Sequence, residues 1–312
     1  MTAKKELRAF KGMTIRNMKV YGKDKISLLL SMLTQLIVLG LFVLFLKDNY
    51  VDVINEKLGD LKNMLSKDDI EAIVNSWLVA GVVGTSVVTA ALNALSVMVH
   101  DKMEHIDYDY TASAVKDRTV VMSYFSGAML SAAVTSSILL TAGLGYLAIS
   151  GAFLLNALDI IMLYGVVLLG SISSTLVLML FISLFKKDSS LSAFGILISV
   201  AIGFVVGAYV PVGQFGENVQ TIVNLVPGSQ ITGLFRNILM QPAIENADKV
   251  LGGADNHAFA ESLNDLFSMK LHVFNGSHGT NFMIIYSLAA IALFLVLNIL
   301  IFRFAAKKAH NS

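Results

Sequence analysis

Apolar positions fall into six long runs, at roughly 26–46, 77–99, 119–149, 159–185, 191–212 and 281–302, parted by polar segments of unequal length. Each run reaches the ~20 residues that a helix needs to cross a bilayer. Unpaired backbone amides are costly in lipid, and a membrane β-barrel would show short alternating segments, so all six runs read as helices. Before the first run, Leu7, Phe10, Thr14, Met18 and Tyr21 step by three and four with Arg8, Lys11, Lys19 and Lys23 on other faces, the pattern of a basic amphipathic helix lying at an interface. A plain basic anchor is the simpler reading of the same residues.

The polar segments carry helical periods of their own. Val51, Ile54, Leu58, Leu61 and Leu65 form a heptad seam that continues a helix outside the membrane, and Ser66 with Asp69 offers a cap from which a second arm leads into the next run. In the long 213–280 segment, Ile231, Leu234, Phe235, Ile238 and Leu239 make an apolar helical face, which Ser229 would cap and Gln241-Pro242 would stop. At about eleven residues it is too short to span and predicts an interfacial or re-entrant helix. A further helix is predicted over 256–268, with Phe259, Leu263 and Leu266 on one face. The expected fold is therefore all-α: a polytopic membrane protein of six transmembrane helices, with an N-terminal amphipathic helix and a re-entrant or helical outer loop before the last span. A single domain covers 1–312, divided into the lead-in 1–25, an outer helical hairpin 47–76, an inner loop 100–118 and the outer loop 213–280.

Composition agrees with the pattern. Hydrophobic residues make up 55% of the 312 and charged residues 14%, against roughly 25% charged in soluble domains. Sixteen Lys and Arg flank the runs on the side of the termini and seven lie on the other side, so both termini are expected in the cytoplasm. The absence of cysteine excludes disulfides and any Cys-based metal or redox motif. The second run is rich in small residues from Ala80 to Ala94, and the fifth holds Gly203-Phe-Val-Val-Gly207, which predicts that both pack against protein.

Motifs for chemistry are mostly missing. Gly22-Lys23 is followed by Asp24, with Asn17 where a phosphate-binding loop needs its first glycine, so the chain holds no nucleotide in that way. His100 to Glu104-His105 misses the inverted zinc-protease spacing by one residue, and His257, His272 and His278 have no carboxylate at ligand spacing. Asn275-Gly-Ser277 matches a glycosylation sequon by chance as readily as by design. Inside the runs the largest polar groups are Gln35, Asn93 and Asn298, so no proton relay is visible. Gln35, Thr85, Ser86, Thr89, Asn93 and Phe125 are the candidates for a path through the bundle. Energy for uphill movement must then enter from outside the membrane. The charged loop His100–Arg118, acidic on the side where basic residues normally dominate, is where it would enter, although a solvated connector is the simpler reading.

The order of these features resembles the permease subunits of ABC-2 type exporters, over essentially the whole chain. Asp101-Lys-Met-Glu104 and Tyr110 to Arg118 stand where the family has its coupling loop, without the usual Pro, which Ala112-Ser113-Ala114 replaces. Leu225 to Arg236 is similar to the family's Pro-containing segment before a short apolar helix. The resemblance implies a bacterial cytoplasmic-membrane protein that exports an apolar or amphipathic cargo, such as a drug, a lipid-like molecule or a peptide. It also implies a dimer with a second copy or a related permease. Two copies of a separate ABC ATPase subunit would carry ATP and Mg, leaving this chain with no cofactor and no enzymatic role. Asp101, Lys102, Glu104, Asp107, Tyr108 and Asp109 would couple to that ATPase, with Phe10, Arg16, Lys19 and Lys23 of the interfacial helix; nucleic acid has no part. The rival expectation is a non-transporting scaffold or sensor that binds a partner through its outer helices.

Overall fold

The computed structural model describes residues 2–252, 257–274 and 276–310, so Asn275 of the sequon lies outside the described residues. From the N terminus the chain forms α1 (Ala3–Lys23), α2 (Lys25–Phe45), α3 (Lys47–Leu58), a short 3-10 stretch, then α4 (Lys67–Met103) and α5 (Ile106–Ala112). It continues with α6 (Asp117–Ile149), α7 (Ala157–Ile182), α8 (Asp188–Val205), α9 (Glu217–Asn224), α10 (Pro227–Leu251) and α11 (Ala258–Leu266). A hairpin of β1 (Leu271–Val273) and β2 (Gly276–His278) leads to the last helix, α12 (Thr280–His310). Five helices are long and apolar enough to cross a membrane: α4, α6, α7, α8 and α12 as far as Phe302. The described apolar stretch of α2, Ser31–Phe45, is shorter. The near face of the bundle carries α1, α5 and the α7–α8 turn; the far face carries α3, α9, α10, α11 and the hairpin.

α4 is the axis. At 37 residues it is about 55 Å long. Ser66 accepts from the Asp69 amide and Asp69 returns the bond to the Ser66 amide, the reciprocal cap that the sequence announces. Of its apolar window 83% is buried, against 11% for α8 and 17% for α12. Ala, Gly and Ser allow this. A methyl group added at Gly84 would run into the Thr232 side chain of α10, so the two helices touch backbone to side chain. Toward the far face the core centres on Trp77, fully buried, with Tyr50 of α3 at 4.5 Å and Phe267 at 5.5 Å between ring centroids. Tyr50 and Val51, Ile54, Leu58 and Leu65 of the predicted seam bury there, and Lys47 pairs with Glu71 to hold the hairpin arms together.

Several expectations are corrected. The seam helix ends at Leu58, where Gly59 takes a positive φ of 54°, and a 3-10 stretch carries Leu61 onward. The helix predicted to follow a cap at Ser229 and to stop at Gln241-Pro242 starts at Pro227 instead and runs 25 residues, through Pro242 to Leu251. A prolyl ring costs one helical hydrogen bond, and here burial of Leu239, Met240, Ala243, Ile244 and Ala247 outweighs that loss. Pro227 occupies its first turn, and Ser229 is not the cap; its hydroxyl faces the carbonyls of Val205 and Val223 at 2.9 and 2.6 Å. The fifth run is expected to pack against protein, but only 11% of the α8 apolar window is buried. Gly203 lies under the Tyr209 ring, and Gly207, with φ of 69°, turns the chain back after α8. The β1–β2 hairpin is a small departure from an all-α fold; Asn224 donates to the His272 carbonyl at 2.8 Å and fastens it to α9.

Candidate functional site

A groove of about 980 Å³ opens between α2, α4 and α8. Each helix gives it one polar stripe: Ser31, Thr34 and Gln35 from α2; Thr89, Asn93, Ser96 and His100 from α4; Ser192 and Ser199 from α8, with Tyr209 closing one end. The α4 spacing of four, three and four residues keeps the stripe on one helical face. Gln35 is buried and held at both ends, its amide donating to Thr89 Oγ1 at 3.3 Å and its carbonyl accepting from Thr85 Oγ1 at 3.1 Å. The carboxylates and the imidazole on the wall, Asp24, Asp188 and His100, sit where the groove meets the near face.

Of the residues proposed for a path, Gln35, Thr89 and Asn93 line this groove. Thr85 stands behind Gln35, Ser86 is buried and donates to the Val83 carbonyl, and Phe125 packs into the near-face core of α6 away from the groove. Asn298 also plays a packing part, donating to the Leu176 carbonyl across α12 and α7 at 2.9 Å. Sequence reading missed the α8 contribution. Ser192, Gly195 and Ser199 recur at three and four along an otherwise apolar helix, a signal that was there to find.

Below the groove the near face is bound into one assembly by the last turn of α4. Asp101 is fully buried and receives two hydrogen bonds from the Arg16 guanidinium, one at 2.8 Å, and a third from the Tyr124 hydroxyl at 2.6 Å. That carboxylate raises the Arg16 pKa above its ordinary value, against the desolvation that lowers it. Lys102 donates to the Ser183 carbonyl at the end of α7 at 2.6 Å, and Met103 Sδ lies 3.2 Å from the Asp188 amide that opens α8. Three consecutive side chains thus reach α1 with α6, then α7, then α8.

α1 is docked rather than loose. Of the predicted face Thr14 is buried and Met18 and Tyr21 are half-buried; Asn17 beside them is buried too, and Thr14 and Asn17 press on Gly127 of α6, where an added methyl would come within 2.8 Å of Asn17 Cβ. Glu6 binds Lys116 at 2.6 Å and Arg118 at 3.4 Å at the start of α6. Phe10 is half-buried, Leu7 and Ile15 are exposed, and Lys19 and Lys23 point outward. Beyond α4, whose C-cap Glu104 is exposed, His105 adopts a left-handed φ of 58° and reverses the chain into α5, where Tyr108 and Asp109 are exposed. The side chain of Asp107 lies outside the described residues. So of the acidic set, Asp101 is withdrawn into the chain as the anchor of Arg16, while Glu104 and Asp109 face outward.

Among the described residues no three His, Asp or Glu side chains gather as a metal site, and the His257 ring meets only the Asp248 carboxylate, at 2.8 Å. No family model matches the chain, and neither a curated protein nor a solved structure matches it.

Proposed function

We propose that this chain is the membrane-spanning permease of an ATP-driven exporter of the ABC-2 kind, with α2 as the first of six spans and both termini in the bacterial cytoplasm. Two such chains, or one with a related permease, would enclose the path, and two ATPase subunits carrying ATP and Mg would drive it. The observation that carries this reading is the near-face hub. Asp101, Lys102 and Met103 fasten the end of α4 to α1, α6, α7 and α8, and α4 itself bears the polar stripe of the groove. A force applied to the exposed flank of α5 is therefore delivered to the wall of a cavity sized for a small amphiphile. The groove offers hydroxyls and amides at membrane depth and no charged ring, which favours an apolar or amphipathic cargo over a small ion.

The chain, tagged and extracted from its native host in mild detergent, is expected to carry an ATPase subunit at stoichiometric level, and Glu104→Lys is expected to lose both that subunit and transport while remaining folded. A chain that purifies alone under every gentle condition would return the reading to a scaffold acting through the far-face helices.

A further inference from the structure

A second cavity, of about 970 Å³, lies on the far half of the bundle between the first turns of α7, the middle of α10 and the start of α12. It belongs to neither the groove nor the hub. Its wall changes character with depth. Val166, Leu169, Leu234 and Ile284 line the inner part, and Asp159, Glu245 and Lys249 stand at the rim. Asp159 to Leu169 is ten residues of α7, so the cavity runs about 15 Å down from the polar boundary. Met162 and Ile284, each 41% exposed, leave its flank open sideways to lipid.

The rim is rich in acceptors. Pro242 has no N–H, so the Ile238 carbonyl four residues earlier lacks its helical donor, and both residues face this cavity. Asp159 Oδ2 is taken by the Asn156 amide of the α7 cap at 2.9 Å, and Glu245 Oε1 by Gln241 at 3.0 Å; among the described residues neither carboxylate nor Lys249 has an ion-pair partner. Two carboxylates and one ammonium leave the rim with one net negative charge, which disfavours an anionic headgroup. Carboxylates and an unpaired carbonyl need a ligand that donates hydrogen bonds, which a quaternary ammonium does not. The geometry points to a binding site for one phospholipid with a primary-amine zwitterionic headgroup. The ammonium meets Asp159, Glu245 and the Ile238 carbonyl, the phosphate meets Lys249, and the acyl chains lie along Val166, Leu169 and Leu234. The site rests on the reading of the chain as membrane-spanning and not on export.

The test is native mass spectrometry of the full-length protein in detergent, titrated with phosphatidylethanolamine, phosphatidylcholine and phosphatidylglycerol. One phosphatidylethanolamine per chain is expected to survive, with about tenfold preference over either of the others. Gly165 lines the cavity and a methyl added there meets nothing within 4 Å, so Gly165→Leu sends its side chain from open space into the cavity and is expected to abolish retention at an unchanged melting temperature. Glu245→Lys turns the net rim charge positive and is expected to reverse the preference toward phosphatidylglycerol. Equal retention of all three lipids, occupancy by detergent only, or lipid held as tightly by Gly165→Leu as by the native chain would each overturn the site. Because no ATPase and no transport enter the assay, its failure is distinct from failure of the exporter reading.

Discussion

Each end of the bundle holds an arginine away from water, and the two are satisfied in opposite ways. At the near end Arg16 keeps a third of its side chain exposed and answers a buried carboxylate, Asp101. At the far end Arg236 is fully buried and, among the described residues, has no carboxylate partner; it donates to the Phe267 and Ser268 carbonyls at 3.2 and 3.3 Å and to that of Val206. Those carbonyls end α11 and α8, where helix dipoles leave partial negative charge, so one guanidinium closes two helix C-termini. The near pair joins formal charges within reach of solvent and can be pulled open. The far arginine is bound by geometry alone, and it fixes the α8 end, the α11 end and α10 relative to one another. The far arginine is thus held entirely within the bundle, and the near pair at its solvent-reached edge.

The largest effect should come from breaking the far end. Arg236→Met leaves three buried acceptors without a donor, at ~1–3 kcal/mol each, and thermal unfolding in detergent should show a loss on the order of 4 kcal/mol. A native-like melting curve would mean that water replaces the guanidinium. Next, Gly207→Ala forces a left-handed φ on alanine and brings a methyl within 2.7 Å of Val212 and 2.9 Å of Arg236 Nη2. The backbone term alone is about 1–3 kcal/mol.

At the near end Arg16→Gln should cost less, about 1–3 kcal/mol, because its partner is buried but Arg16 is itself partly screened by water. Adding Asp101→Asn should recover part of that loss, since the uncompensated charge is then gone. A double mutant less stable than the sum of the singles contradicts the ionic assignment. The smallest effect concerns Glu6, whose carboxyl is held below its ordinary pKa by the hydrogen bond from Lys116, with Arg118 assisting against partial burial. A lowered pKa stabilises the docked helix above the unfolded value and is lost as pH falls through the folded one. Amide protection over residues 3–10, referred to the intrinsic exchange rate at each pH, should therefore fall between pH 5 and 3, roughly the carboxylate range, and Glu6→Gln should show the low protection throughout.

Those local features that depend on neighbours in sequence were legible from it. The Ser66–Asp69 cap, the buried seam from Val51 to Leu65, the Phe259–Leu263 face and the apolar runs all follow from spacings of a few residues. What escaped depends on distant partners. Asp101 reads as one of five loop acids because Arg16 lies 85 residues away, and nothing in the local pattern marks it as the one turned inward. Pro242 reads as a stop because the α4, α7 and α12 surfaces that make a continued α10 worthwhile are remote in sequence. The path candidates on α4 were found as hydroxyls and an amide within an apolar run, whereas the α8 side of the groove was hidden among Ile, Leu and Val. Arg236 stood in plain view as a lone cation in an apolar helix. Its two-helix closure required knowing where α8 and α11 end.

Asp101, Lys102 and Met103 leave α4 about 100° apart. Their attachments to α1 with α6, α7 and α8 encircle its tip like the wards of a key, so turning α4 about its own long axis strains every one of them together, whereas sliding it would spare some. An unbroken helix transmits that torque, and the Thr89–His100 stripe rides on the same shaft. Twist imposed beyond Met103 would therefore swing the hydroxyl and amide wall of the groove toward the helices beside it.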